Sequence, residues 1–99
     1  MGVRHTRTGT IERGKRDDAL AFAATISQYW EENFGVAVTW GAQVGGTLGT
    51  VHWHSDYEDM AHLERALGFA MTDQGYLKLV DDANELFAGP PEDTIIYTM

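Results

Sequence analysis

Residues 36–55, "VAVTWGAQVGGTLGTVHWHS", decide how the chain is read. Two runs rich in β-branched and aromatic residues, 36–44 and 47–55, flank Gly45 and Gly46, and paired glycines between such runs predict a β-hairpin. If the glycines form a two-residue turn, Val44 pairs with Thr47. That register sets Trp40 opposite Val51, Thr39 opposite His52 and Val38 opposite Trp53. One face of the hairpin then carries Val36, Val38, Trp40, Val51 and Trp53. The other carries Ala37, Thr39, Gln43, Thr50, His52 and His54. A slip of one residue would exchange the faces, so the alternation itself specifies which side meets a core.

Working outward, residues 3–12, "VRHTRTGTIE", alternate in polarity and are rich in threonine, which suits a strand. Asp17 and Asp18 then open a segment with apolar residues at Ala19, Phe22, Ala23, Ile26, Trp30 and Phe34, closed by Gly35. This is the pattern of an amphipathic helix with carboxylates at its positive end and glycine at its stop. Beyond the hairpin, Ser55 or Asp56 is available as an N-cap for a helix through Met60, Leu63, Leu67, Ala70 and Met71. Thr72 to Gly75 break that helix. Helical spacing resumes through Tyr76, Leu79, Val80, Ala83 and Phe87, and Gly89, Pro90 and Pro91 end it. "DTIIYTM" closes the chain as a strand. The order β-α-β-β-α-β predicts an α+β, ferredoxin-like domain over residues 1–99, with a four-stranded antiparallel sheet and both helices on one face. The Trp40 and Trp53 face should meet the helices.

Composition narrows the function classes. A chain of 99 residues with 43% hydrophobic residues can build one modest core, which often gains stability by association. No cysteine is present, so disulfides, thiolate metal sites and a cysteine nucleophile are excluded. The net charge of −8 sits on the body of the chain, because Arg4, Arg7, Arg13, Lys15 and Arg16 hold most of the positive charge near the start. Such a surface disfavours nucleic acid and anionic lipid, so neither is an expected partner. The apolar runs fall short of the ~20 residues a membrane span needs. A cytoplasmic protein without membrane or nucleic-acid partners is expected.

Several residues could carry chemistry. His52 and His54 share one face of a strand at a spacing used by zinc and non-heme iron sites, and His5 on the first strand could complete a three-histidine set. The alternative is a polar sheet face, solvated or set against a second subunit. Trp30, Trp40 and Trp53, with Phe22, Phe69 and Tyr76, could line a pocket for a flat ligand, or fill a core. Asp56, Glu58 and Asp59 could do acid–base work, but helix capping already explains carboxylates there. His62 reads as a surface residue. The glycines at 41, 45, 46 and 49 lack the ending of a phosphate loop.

"TLGTVHWHSDYEDMAHLERA", followed by "TDQGYLKL", resembles the third strand and second helix of the dimeric α/β-barrel superfamily, which includes NIPSNAP-like proteins, antibiotic-biosynthesis monooxygenases and heme-degrading monooxygenases. Aligned to the heme-degrading branch, Trp53-His54-Ser55 matches a W-x-S that supplies a pocket tryptophan. That branch's asparagine is replaced near His5 and Thr6, and its heme-ligating histidine near Leu79 or Val80. Aligned to the NIPSNAP-like pattern, His52 falls on a histidine common in that strand. The resemblance implies a homodimer formed through the exposed sheet face, with Thr39, His52 and His54 near the barrel interior. It also implies a small-molecule ligand, aromatic or polyketide-like, and monooxygenase-like or isomerase-like chemistry. His52 is the candidate acid or base; Trp40, Trp53, His54 and Thr39 are the candidate ligand-binding residues. No cofactor is expected. A non-catalytic sensing or assembly module, and a metal-dependent enzyme built on His5, His52 and His54, are the alternatives.

Overall fold

A computed structural model describes residues 2–46 and 48–99. Strand β1 (Gly2–Thr10) leads to helix α1 (Arg16–Phe34), strands β2 (Val38–Ala42) and β3 (Thr50–Tyr57), helices α2 (Met60–Thr72) and α3 (Gln74–Asp82), a single 3-10 turn (Asn84–Leu86) and strand β4 (Glu92–Thr98). The four strands form one antiparallel sheet in the order β2-β3-β1-β4. This is the expected α+β, ferredoxin-like architecture, with the two central strands carrying the greatest burial.

Local chemistry explains the helix boundaries. Asp17 and Asp18 lie in the first turn of α1, where they complement the helix dipole. At its other end Gly35 adopts φ 67°, the left-handed conformation that lets its N–H bond back to the Trp30 carbonyl. Helix α2 begins later than Ser55 or Asp56, because β3 continues through Tyr57. Its N-cap is Asp59, whose carboxylate accepts from the His62 N–H at 2.8 Å. The break at Thr72 to Gly75 is a single extended residue, Asp73, which ends α2 and caps α3 by accepting from the Tyr76 N–H at 2.9 Å. Helix α3 stops at Asp82 rather than running on to Phe87, and Phe87 instead forms a bridge with Ile11.

The hairpin differs from the two-residue turn in its register. Val38 faces Ser55, Thr39 faces His54, Trp40 faces Trp53 and Ala42 faces Val51. The pairing is displaced by two residues, because strand pairing ends at Ala42 and Thr50 and a longer connection replaces the tight turn. Gln43 closes that connection, its N–H bonding to the Thr50 carbonyl at 3.1 Å. The Val44 to Thr47 pairing lies outside the described residues. An even displacement preserves side-chain alternation, so both faces keep their expected membership.

Two packed groups hold the helices to the sheet. Val3, Val36, Tyr57, Leu63 and Ala66 form one, joined by Trp30, Phe34 and Met60. Ile26, Ala70 and Tyr76 form the other, with Phe22, Tyr29 and Trp53 against them. Among the described residues no helix covers the opposite sheet face. Among the described residues no helix is long and apolar enough to cross a membrane.

Candidate functional site

Pleating sends Val3, His5, Arg7 and Gly9 of β1 toward the helices, beside Val51, Trp53, Ser55 and Tyr57 of β3 and Asp93, Ile95 and Tyr97 of β4. The core groups do not fill this space completely. Between sheet and helices lies a cavity of about 190 Å³, with Phe22, Trp30, Trp53 and Phe87 among its apolar walls and His5, Arg7, Ser55 and Tyr76 among its polar ones. Engineered cavities of roughly 150 Å³ accept benzene, so this one has room for a substituted ring.

The aromatic walls are mutually braced. Trp53 meets Phe22 edge-on with centroids 6.4 Å apart and lies 5.9 Å from Phe87, and Phe22 and Phe87 are 5.8 Å apart. Gly9 permits this closeness: a Cβ at that position would stand 3.0 Å from Phe87 and 3.3 Å from Trp53. At the other end, Trp30 packs edge-on against Tyr76 and Phe34. The Trp53 indole Nε1 is buried and makes no hydrogen bond among the described residues.

The polar wall is organised by Asp93. Its Oδ1 receives Arg7 Nε at 2.8 Å and lies 3.1 Å from His5 Nε2, while Oδ2 receives Arg7 Nη2 at 3.0 Å. The hydrogen bonds from Arg7 hold the Asp93 carboxyl below the usual carboxylate range, with His5 adding to that effect. A carboxylate partner at Nε2 favours the tautomer with its proton there, which leaves Nδ1 as the acceptor when the ring is neutral. The His5 side chain is only 11% exposed. Tyr76 is buried, and its hydroxyl stands close enough to the Arg7 guanidinium to stabilise its charge. Ser55 donates to the Tyr57 hydroxyl at 3.1 Å, and burial pushes the Tyr57 phenol up.

The residues singled out from the sequence divide between the two faces. Trp53 lines the cavity. Trp40, on the same face of the edge strand, is 38% exposed and lies outside the cavity lining. Thr39, His52 and His54 occupy the opposite, uncovered face. There His52 Nδ1 lies 3.1 Å from Thr8 Oγ1 and its Nε2 lies 2.8 Å from Gln43 Oε1, so both ring nitrogens have partners. His54 Nδ1 lies 2.9 Å from Thr6 Oγ1, and the two imidazoles stack 6.3 Å apart.

The three-histidine cluster is not formed. Thr6, not His5, pairs with His54, so His5 projects through the other side of the sheet from His52 and His54. Among the described residues no group of three His, Cys, Asp or Glu side chains is placed to hold a metal ion. Asp56 is occupied by Arg4 through two hydrogen bonds, and Asp59 by its cap. His62 is half-buried against Tyr57 rather than free on the surface, with ring centroids 5.1 Å apart. The His5, Arg7 and Asp93 assembly escaped the sequence reading. Its signal was present in "VRHTRTG": a histidine and an arginine two apart, in phase with Val3 and therefore facing the core.

No protein-family model and no curated protein matches the sequence. Solved structures do match the fold. A NIPSNAP-like domain protein from Burkholderia xenovorans superposes with a TM-score of 0.84 at 12% identity, over 99% of this chain and 85% of that one. A second NIPSNAP domain protein from the same organism gives 0.79 at 18% identity, over 98% and 94%. SnoaB, a cofactor-independent oxygenase from Streptomyces nogalater, gives 0.70 at 13% identity, over 98% and 92%. The chain therefore has the ferredoxin-like fold that NIPSNAP-like proteins share with a cofactor-independent oxygenase.

Proposed function

We propose that the protein binds a small aromatic or polyketide-like molecule in the cavity between sheet and helices, and that His5 moves a proton at that molecule. The observation that carries this reading is a cavity walled by Phe22, Trp30, Trp53 and Phe87 in which His5 is held by Asp93. Apolar walls with a few fixed polar groups are the usual composition of small-molecule sites. An imidazole fixed at Nε2 by a carboxylate presents Nδ1 as a base for an acidic C–H or O–H. Monooxygenase-like or isomerase-like turnover both start from such a step, and the likeness to an oxygenase that works without a cofactor favours them. On geometry His5 is the better candidate for this role than His52, whose nitrogens are engaged on the other face. Screening a library of single-ring and fused-ring compounds by ligand-observed NMR tests the binding reading. Hits that His5→Ala does not perturb, or an absence of hits, count against it.

A second reading concerns assembly. The uncovered sheet face, with Thr6 and Thr8 hydrogen-bonded across strands to His54 and His52 and with Thr39 and Ile96 exposed beside them, suits burial against a second copy about a two-fold axis. Light scattering coupled to size exclusion tests this. A monomer at micromolar concentration sinks it.

A further inference from the structure

Resting on the reading that the cavity binds a small aromatic molecule, we infer that this ligand carries an anionic oxygen, a carboxylate, phenolate or enolate, held by Arg7 Nη1 and the Tyr76 hydroxyl. Asp93 takes one N–H from Nε and one from Nη2 of Arg7. A guanidinium has five N–H groups, so three remain, and Nη1 makes no hydrogen bond among the described residues. The Tyr76 hydroxyl, in a residue 8% exposed, stands beside the same guanidinium, toward which its oxygen can only accept, so its O–H is left to donate. Both side chains line the cavity. Both donors face the cavity, with the Arg7 side chain 38% exposed, and the serine hydroxyls nearby are already committed, Ser27 to the Ala23 carbonyl and Ser55 to Tyr57.

The donor set, rather than any net charge, favours an anion over a neutral acceptor. Arg7 and Asp93 together are neutral, and the Asp93 oxygens facing His5 and Arg7 are occupied, so the wall offers donors rather than a bare carboxylate. Hydrogen bonds from a guanidinium to an ionised oxygen are about twice as strong as neutral ones. The same donors would hold the oxyanion left after His5 has taken a proton from an enolisable or phenolic ligand, with the proton on Nδ1 and the electron pair on the ligand oxygen. No oxidant or reductant enters that step. The aromatic walls and a volume of about 190 Å³ set the rest of the ligand as a single planar ring with small substituents.

The test uses benzoate and its neutral counterpart of similar shape, benzamide, with the indole N–H signals of the full chain followed by two-dimensional NMR. Trp30 and Trp53 line the cavity and Trp40 does not, so the third indole serves as an internal control. The expected result is that benzoate shifts the Trp30 and Trp53 signals and binds at least tenfold more tightly than benzamide. Tyr76→Phe, which keeps the ring in the core, and Arg7→Met should each weaken benzoate by roughly tenfold while leaving benzamide within about twofold. If Arg7→Met fails to fold, Tyr76→Phe alone decides. Equal binding of the two probes, or benzoate binding unchanged by Tyr76→Phe, overturns the anion inference and leaves the cavity reading standing. If neither probe moves Trp30 and Trp53, both fall together.

Discussion

His5 Nε2 lies 3.1 Å from Asp93 Oδ1, although 88 residues separate them, because β1 and β4 are neighbours in the sheet and both side chains point toward the helices. Arg7, two residues from His5, grips the same carboxylate. A histidine so oriented has a defined tautomer, and the tautomer is directly measurable. Nitrogen-detected imidazole spectra above neutral pH should report the proton of His5 on Nε2, and Asp93→Asn should weaken that preference. An unchanged tautomer ratio in the variant would remove Asp93 as a positioning residue.

Acid should destabilise the protein through identifiable carboxylates. Arg7 lowers Asp93, Arg4 lowers Asp56, and the Tyr29 hydroxyl followed by the Tyr76 backbone N–H lowers Asp73. A carboxyl whose folded pKa lies below its unfolded value adds stability that is fully present above about pH 4 and is lost as pH falls through the folded value. Urea midpoints measured from pH 7 to pH 2 should therefore fall below about pH 4. Asp93→Asn should be less stable at pH 7 and show a shallower decline in acid. A decline of the same steepness in that variant would contradict the role assigned to its pair with Arg7.

Gly9 is required by space rather than by backbone angle. Its missing Cβ is the room into which Phe87 and Trp53 pack. Gly9→Ala should cost about 1–3 kcal/mol by crowding those rings, and should also alter the cavity. Gly41→Ala is the matched control, since nothing lies within 4 Å of its Cβ position. Its effect on chemical denaturation should stay within about 0.5 kcal/mol. Equal costs at the two positions would show that Phe87 and Trp53 do not close over β1 at Gly9.

The uncovered sheet face supplies a separate test. Ile96 sits on that face, paired with Arg4, and is 50% exposed. If a second copy covers the face, Ile96→Asp should shift the protein from dimer to monomer at micromolar concentration, because an unpaired charge would be buried in the interface. The same change should leave the fold intact, as the residue contributes little to the core of one chain. A mass unaffected by Ile96→Asp would move the interface elsewhere.

Element order, the start of α1 and the two hairpin faces were legible along the chain because they depend on short-range patterns. Period-two alternation in 36–55, carboxylates before apolar helical spacing at Asp17 and Asp18, and a glycine after Phe34 each act within a few residues. The hairpin register was not legible. Two glycines permit a tight turn without requiring it, and the observed pairing, Trp40 with Trp53 and Thr39 with His54, lies two residues further along. Trp53 could be recognised as a core-facing aromatic from alternation alone. The His-x-His pair drew attention to the third strand, yet only the pairing of Thr6 with His54 puts His5 on the opposite side of the sheet. Asp93 could not be joined to His5 and Arg7 from the chain at all. Their contact spans nearly its whole length and exists only when β4 docks beside β1. What the sequence by itself determined was a βαββαβ domain with an aromatic face toward its helices, since periodicity and capping are local. Which side chains gather around the cavity was decided by strand order and register, because those bring together groups that no spacing along the chain relates.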